Sequence, residues 1–332
     1  MNTIFNEKAG LQLFADLQTT TSQNLSAEMQ TFYDLALIDE ASANLVHEQF
    51  GQKRPIPPHG GKRIEFRKFA SLPKADKPLT EGVTPDGQSL KVTTVSADVK
   101  QYGDYITQSD MLELTALDNT ILEAAKLLGR QAGITLDTVV RNVLQSGTNV
   151  TYCPKVENGV ETEITSREDL TEGCQLTVDV VMQVVAKLRA QNAPTINGKY
   201  VAIIHPYVAY DLMRDPEWVS AHKYADPEKL FEGEIGEIAG VRFVQTTEAK
   251  IYEGGIFATL FLGADAYGIT EVTGGGLQTI VKQKGSAGTA DPLDQRSSVG
   301  WKAIRTAEIL IDNYIVRVES YSNRFSKSAQ VN

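Results

Sequence analysis

The 332-residue chain is 42% hydrophobic, 22% charged and 8% aromatic, which excludes disordered and collagen-like polypeptides and gives a length suited to two lobes rather than one core. No run approaches the roughly 18 apolar residues of a membrane span, two cysteines cannot build a disulfide scaffold, and a net charge of −10 argues against a dedicated nucleic-acid binder. Residues 1–8 carry no basic and then apolar signal pattern, so the expectation is an intracellular chain whose Cys153 and Cys174 stay free thiols.

The first 22 residues are polar and read as an extended arm. Leu25, Met29, Phe32, Tyr33, Ala36, Leu37, Ala41 and Leu45 then recur at steps of three and four, which predicts a helix ending near Gly51. From Lys53 to Tyr105 the pattern changes. Prolines and glycines precede the alternating stretch 63–69, and the turn Thr84-Pro85-Asp86-Gly87 precedes a second one around 90–99. This predicts a long β-ribbon with a thin apolar side, marginal unless it leans on another surface.

Ile121, Ala125, Leu128, Ala132, Leu136, Val139 and Val143 predict a helix of about 25 residues stopped by Ser146-Gly147. Gly129 and Gly133 inside it each cost about 1 kcal/mol relative to alanine, and hint at close packing by another backbone. Residues 155–172 form an acidic link. Val180 to Leu188 reads as a helix, 200–204 as an apolar strand, and Pro206 as the first residue of a further helix. Residues 216–236 read as a loop. Strands are expected at 241–245, 256–262, 267–272 and 277–282, with a β pattern again over 304–318. The class is α+β, with segregated helices and strands.

Chemical motifs are sparse. None of the four histidines has His-Glu-x-x-His spacing, and there is no Cys-x-x-Cys or Gly-x-Ser-x-Gly. Gly274-Gly275-Gly276 precedes a β pattern rather than a helix, which suits a turn better than a phosphate cradle. His205, before Pro206, reads as a helix cap, and the carboxylates of 157–172 and 226–237 as solvated faces. No cofactor or metal is expected. Charge is nevertheless uneven. Lys53, Arg54, Lys62, Arg63, Arg67 and Lys68 face a lone Glu65 in residues 51–70, whereas Asp226, Glu228, Glu232, Glu234 and Glu237 face Lys229 in 226–237. Two readings stand: a self-complementary head-to-tail contact, or two unrelated solvated surfaces.

The order of parts resembles the major capsid proteins of tailed bacteriophages, which share the Hong Kong 97-type capsid fold. The local sequence is similar to the N-four-like phage capsid family in Pro78-Leu79-Thr80-Glu81-Gly82-Val83-Thr84-Pro85, in Gln101-Tyr102-Gly103-Asp104-Tyr105-Ile106-Thr107-Gln108-Ser109-Asp110, in Ala202-Ile203-Ile204-His205-Pro206 and in Ile235-Gly236-Glu237-Ile238-Ala239-Gly240-Val241-Arg242-Phe243. The resemblance implies an N-terminal arm and helix over 1–52 and an extension loop over 53–105 that lies on a neighbouring subunit. It further implies a peripheral domain with a spine helix over 106–174, an axial domain over 175–296, and C-terminal strands over 297–332 that return to the peripheral domain.

The implied function is that of a head subunit. It would assemble as hexamers and pentamers into an icosahedral shell around double-stranded DNA, touched only weakly, in a virion built in the host bacterial cytoplasm. Scaffolding, portal and cement or decoration proteins are the implied partners, with no membrane. The residues expected at subunit contacts are Lys62, Arg63, Arg67, Lys68, Glu228, Glu232, Glu234 and Glu237. The alternatives are the shell of an encapsulating compartment with the same fold, or an α+β enzyme using His205, Asp211 and the carboxylates of 226–237 between the lobes.

Overall fold

The computed structural model describes residues 37–332 except 42–43, 57–61, 70–71, 73, 77, 79–80, 83–86, 116–119, 158, 226–235, 272–275 and 287–290. The expected N-terminal arm therefore lies outside the described residues. Residues 37–41 are helical (α1), but 44–50 are turns and coil, and Gln52–Lys53 (β1) is already a strand. The helix thus ends before the expected Gly51. His47 and Glu48, polar positions inside the periodic stretch, are drawn into the interior by remote partners. The His47 backbone N–H and Nδ1 each lie 2.7 Å from an Asp137 carboxylate oxygen, and Arg305 Nη1 donates to Glu48 at 2.6 Å.

The ribbon is present as Arg63–Phe69 (β2) paired antiparallel with Val92–Asp98 (β3), Arg63 opposite Asp98. Lys100–Ser109 (β4) leaves it to pair with the strand Arg296–Ile309 (β15), so Tyr105, the expected end of the loop, sits inside a sheet. Asp110–Thr115 (α2) leads to Thr120–Leu144 (α3), the 25-residue helix the spacing predicted.

Two sheets carry the fold. In the five-stranded one, β1, Tyr267–Glu271 (β13), β15 and Gln278–Lys282 (β14) lie in that order, with β4 also on β15. The strands β13 and β14, read in the sequence with the 175–296 unit, hydrogen-bond here because β15 is 14 residues long and offers both of its edges. The seven-stranded sheet has the order Val150–Tyr152 (β5), Ile315–Tyr321 (β16), Ile256–Leu262 (β12), Tyr200–Ile204 (β8), Val241–Gln245 (β10) and Glu237–Ile238 (β9), with Ile251–Tyr252 (β11) on β12. Lys155–Glu157 (β6) and Val160–Thr162 (β7) form a separate hairpin.

Strands β8 and β12 are buried along their whole length, which is why they read as unbroken apolar runs: both faces are covered. One face packs on the helix Val178–Ala190 (α4) through Val180, Val181, Val184, Val185 and Leu188. The other face, through Ile203, Leu260 and Leu262, meets Val140 and Leu144 at the C-terminal end of α3. The preceding turns of α3 pack Ala125, Leu128, Ala132 and Leu136 under Val299, Trp301 and Ala303 of β15. One helix therefore ties the two sheets together. At Gly129 and Gly133 the α1 backbone comes so near that a Cβ would lie 2.6 Å from the Leu37 carbonyl oxygen and 2.4 Å from that of Ala41. The hint of close backbone packing is realised within the chain.

Pro206–Met213 (α5) starts at Pro206 as expected. Residues 216–236, expected as a loop, contain the helix Pro216–Ala225 (α6). Its apolar content is too sparse for a stripe, yet Trp218 is fully buried and anchors it. Cys153 and Cys174 are free and lie in the core beneath α4. Among the described residues no helix is long and apolar enough to cross a membrane.

Candidate intersubunit surfaces

Strand alternation gives the ribbon two faces. Ile64, Phe66, Val95 and Ala97 turn toward the chain's own five-stranded sheet. Phe66, only 2% exposed, sits over Gly268 of β13, where a Cβ would lie 2.5 Å from the ring, and the Arg54 guanidinium lies 5.7 Å from the ring centre. The base of the ribbon is thus anchored in its own subunit, which its thin apolar pattern did not reveal. The other face carries Arg63, Glu65 and Arg67 beside Thr94, Ser96 and Asp98, all exposed. Farther out, Leu72 and Leu90 are 58% and 62% exposed. An arm that holds large apolar side chains away from its own core is an incomplete surface.

The residues expected at contacts are distributed as follows. Arg63 Nε lies 3.3 Å from Asp98, both largely exposed, so this pair is weak and screened. Arg67 is exposed opposite Thr94, and no carboxylate among the described residues lies at ion-pair distance from it. The Lys62 carbonyl accepts from the Val99 N–H at 3.0 Å while its side chain is exposed. Lys68 pairs with Thr93 in the backbone ladder. Glu237, on the edge strand β9 of the other sheet, forms an ion pair with Lys199. Glu228, Glu232 and Glu234 lie outside the described residues.

Of the groups considered for catalysis, His205 serves the scaffold, and Asp226, Glu228, Glu232 and Glu234 lie outside the described residues. His205 is the N-cap of α5, its Nδ1 accepting from the Tyr207 N–H at 3.1 Å, and its ring lies 5.0 Å from that of Phe257. Burial pushes its pKa from the usual 6.5 down to about 4, so it is neutral at pH 7. Burial raises the Asp211 carboxyl, and the polar side chains of Ser322 and Gln175 and the charges of Arg324 and Arg214 oppose that rise. Asp215 accepts from the N–H groups of Val178 at 2.8 Å and Glu217 at 2.9 Å, and so holds the first turns of α4 and α6 with one carboxylate. Glu319, fully buried, receives Arg167 through two bonds of 2.6 Å and Arg317 through one of 2.9 Å. That cluster was invisible in the sequence, because its members are 152 and 2 residues apart and each reads alone as a surface charge. Among the described residues no group of three His, Cys, Asp or Glu side chains could hold a metal ion.

Residues 97–284 match the model of a family described as phage capsid protein. No curated protein sequence matches the chain. Among solved structures the chain is similar to the capsid of Cyanophage P-SCSP1u, with a TM-score of 0.63 at 13% identity over 93% of this chain and 94% of that one. It is similar to the capsid of Ralstonia phage GP4, with a TM-score of 0.61 at 14% identity over 98% and 99%. A virus-like particle from Pyrococcus furiosus gives 0.51 at 12% identity over 88% and 99%. At these identities the likeness is one of fold, the Hong Kong 97-type capsid fold expected from the sequence.

Proposed function

The chain belongs to the phage capsid protein family, and from that premise we propose that it is the repeating head subunit of a tailed phage, closing through hexamers and pentamers into an icosahedral shell around double-stranded DNA. In this reading the five-stranded sheet with α3 is the peripheral domain, the seven-stranded sheet with α4, α5 and α6 is the axial domain, and the ribbon is the extension loop. The observation that carries the reading is the ribbon itself: one face anchored by Phe66 on its own sheet, the other charged and exposed, with Leu72 and Leu90 held out beyond. A neighbouring subunit supplies the cover these residues lack, and repetition of that head-to-tail contact generates closed rings and a shell.

The net charge of −10 suits a wall that does not grip packed DNA. Scaffolding, portal and decoration proteins are the partners of such a shell, and the virion its place. The chain contributes geometry rather than chemistry, so no substrate is assigned. The test is electron microscopy and sedimentation of the chain expressed with and without its neighbouring phage genes. Particles tens of nanometres across are expected, filled with DNA in the phage. Only monomers or small closed oligomers in both settings would overturn the reading. Particles that enclose an enzyme and no DNA would turn it to a compartment shell.

A further inference from the structure

The five-stranded sheet packs on α3 through Val299, Trp301 and Ala303 of β15, so the residues that alternate with them, Ser298, Gly300, Lys302 and Ile304, point to the opposite face. The registers extend that face onto both neighbours of β15. Gln278, Ile280 and Lys282 stand opposite Lys302, Gly300 and Ser298 on one side, and Gly103, Tyr105 and Thr107 stand opposite the same three on the other. Tyr105 is 70% exposed and Ile280 38%, and Gly300 between them contributes no side chain. Lys282 and Lys302 are exposed on either side of that row. Among the described residues no carboxylate lies at ion-pair distance from either lysine. Glu308, which shares this face of β15, is six residues along the strand from Lys302, about 20 Å. Asp291, at the end of the sheet, is buried and accepts from the Arg296 N–H at 2.8 Å, and Asp294 lies beside Gly285 in the loop beyond Lys282. An exposed tyrosine and isoleucine between two lysines on an open sheet face suit an acidic element with an apolar tip. A neighbour's ribbon, itself rich in lysine and arginine, is a poor match in charge.

The chain carries such an element among its described residues. The hairpin of β6 and β7 pairs only with itself. Its Val160 is 66% exposed and is followed by exposed Glu161 and Glu163, neither of which has a cation at ion-pair distance among the described residues. Glu157, opposite Val160, is tied to Lys155 at 2.8 Å. The hairpin leaves the seven-stranded sheet on the α4 side: Cys153 before it and Leu170 after it lie in the α4 core, whereas α3 covers the other face. Hairpin and lysine face thus belong to different sheets, with no strand pairing between them. We propose that the hairpin tip of one copy docks on the Tyr105, Ile280, Lys282 and Lys302 face of a neighbouring copy. Val160 lies against Tyr105 and Ile280, and Glu161 and Glu163 turn toward the two lysines. The two surfaces differ, so the contact is heterologous and repeats from copy to copy. The inference rests on the shell reading above and adds to it a contact independent of the ribbon.

Charge reversal and cysteine trapping test it. K282E/K302E makes the face negative and E161K/E163K makes the hairpin positive, and all four side chains are exposed. Each chain alone is expected to keep the wild-type circular dichroism and melting curve, while the protein concentration at which light scattering detects particles rises at least about tenfold. An equimolar mixture is expected to assemble at a lower concentration than either chain alone, because hairpin and face then pair opposite charges between unlike chains. In particles of a V160C/I280C chain, mild oxidation is expected to give covalent trimers and longer oligomers on a non-reducing gel, which neither single variant gives. Wild-type chains that never form particles overturn the shell reading and this inference with it. Wild-type particles together with an unchanged threshold for K282E/K302E overturn the inference alone. So does a mixture that assembles no better than its components although both chains are folded. Should a reversed chain not fold, the cysteine trap decides, and V160C/I280C particles without the covalent ladder overturn the inference. Normal assembly of K282E/K302E with weakened DNA retention would assign the face to nucleic acid instead, and also overturns it.

Discussion

Gly133 lies where α1 crosses α3, and its missing side chain decides how near the two backbones come. Alanine there would gain about 1 kcal/mol of helix propensity. It would also place a Cβ 2.4 Å from the Ala41 carbonyl oxygen, an atom of the main chain that cannot rotate aside. Overpacking of this kind costs about 1–3 kcal/mol, at the upper end when backbone must move. The steric cost wins, and Gly133→Ala is expected to lose about 1–2 kcal/mol in urea unfolding; an unchanged or higher midpoint would show that α1 is not seated on α3. His205 gives a second expectation at this scale. Its folded pKa of about 4 lies below the ordinary 6.5, so the unfolded chain binds its proton first as the pH falls. Its contribution is constant above pH 6.5, declines between 6.5 and about 4, and is level below that. His205→Asn keeps an N-cap acceptor and cannot titrate. The stability of wild type relative to this variant should therefore decline between pH 6.5 and 4; parallel pH profiles would refute the assignment.

At the level of elements, Phe66 is the pin that fixes the ribbon to its sheet. Phe→Ala in a core costs about 3–5 kcal/mol, but β2 and β3 contact the rest of the molecule mainly at their base, so the loss falls on local opening rather than on global unfolding. Phe66→Ala is expected to speed amide exchange and proteolysis in the ribbon while the main melting transition moves little. Equal exchange in both chains would mean that the ribbon is held by something else. The same pin shows what sequence patterns convey. Elements that satisfy their own periodicity, such as α3, β8 and β12, were legible because one face or both meet a continuous core. Alternation revealed the ribbon, but the hole over Gly268 that receives Phe66 is some 200 residues away. The run of α-helical spacing into Leu45 misled because Asp137 and Arg305, 90 and 257 residues beyond their partners, draw His47 and Glu48 into the interior. Helix α6 hides for the opposite reason: it depends on Trp218 rather than on a stripe. Of the contact residues, the cationic stretch was legible as charge, whereas its division into an anchored and an outward face needed the strand register.

Across the whole molecule, α3 couples two sheets into one body, and the ribbon projects from it with Arg67 on the outward face. Arg67 suits a test of assembly better than Arg63, whose reversal would also disturb the pairing with Asp98. An exposed residue with no ion pair among the described residues changes subunit stability by no more than about 0.5 kcal/mol when substituted. A shell, however, repeats each contact in every copy, and a charge facing a neighbour of like sign is opposed at each of them. Each 1.4 kcal/mol lost per contact is about a factor of ten in its equilibrium constant. Arg67→Glu is therefore expected to leave the melting curve of the isolated subunit in place and to raise the protein concentration at which light scattering first detects particles. Screening supplies the control: at 1 M salt the Debye length shrinks to about 3 Å, so the two chains should assemble at nearly equal concentrations there. A threshold for Arg67→Glu that equals wild type at low salt would show that this face of the ribbon is not electrostatically engaged in the shell, and would leave its grip on the neighbour to Leu72 and Leu90.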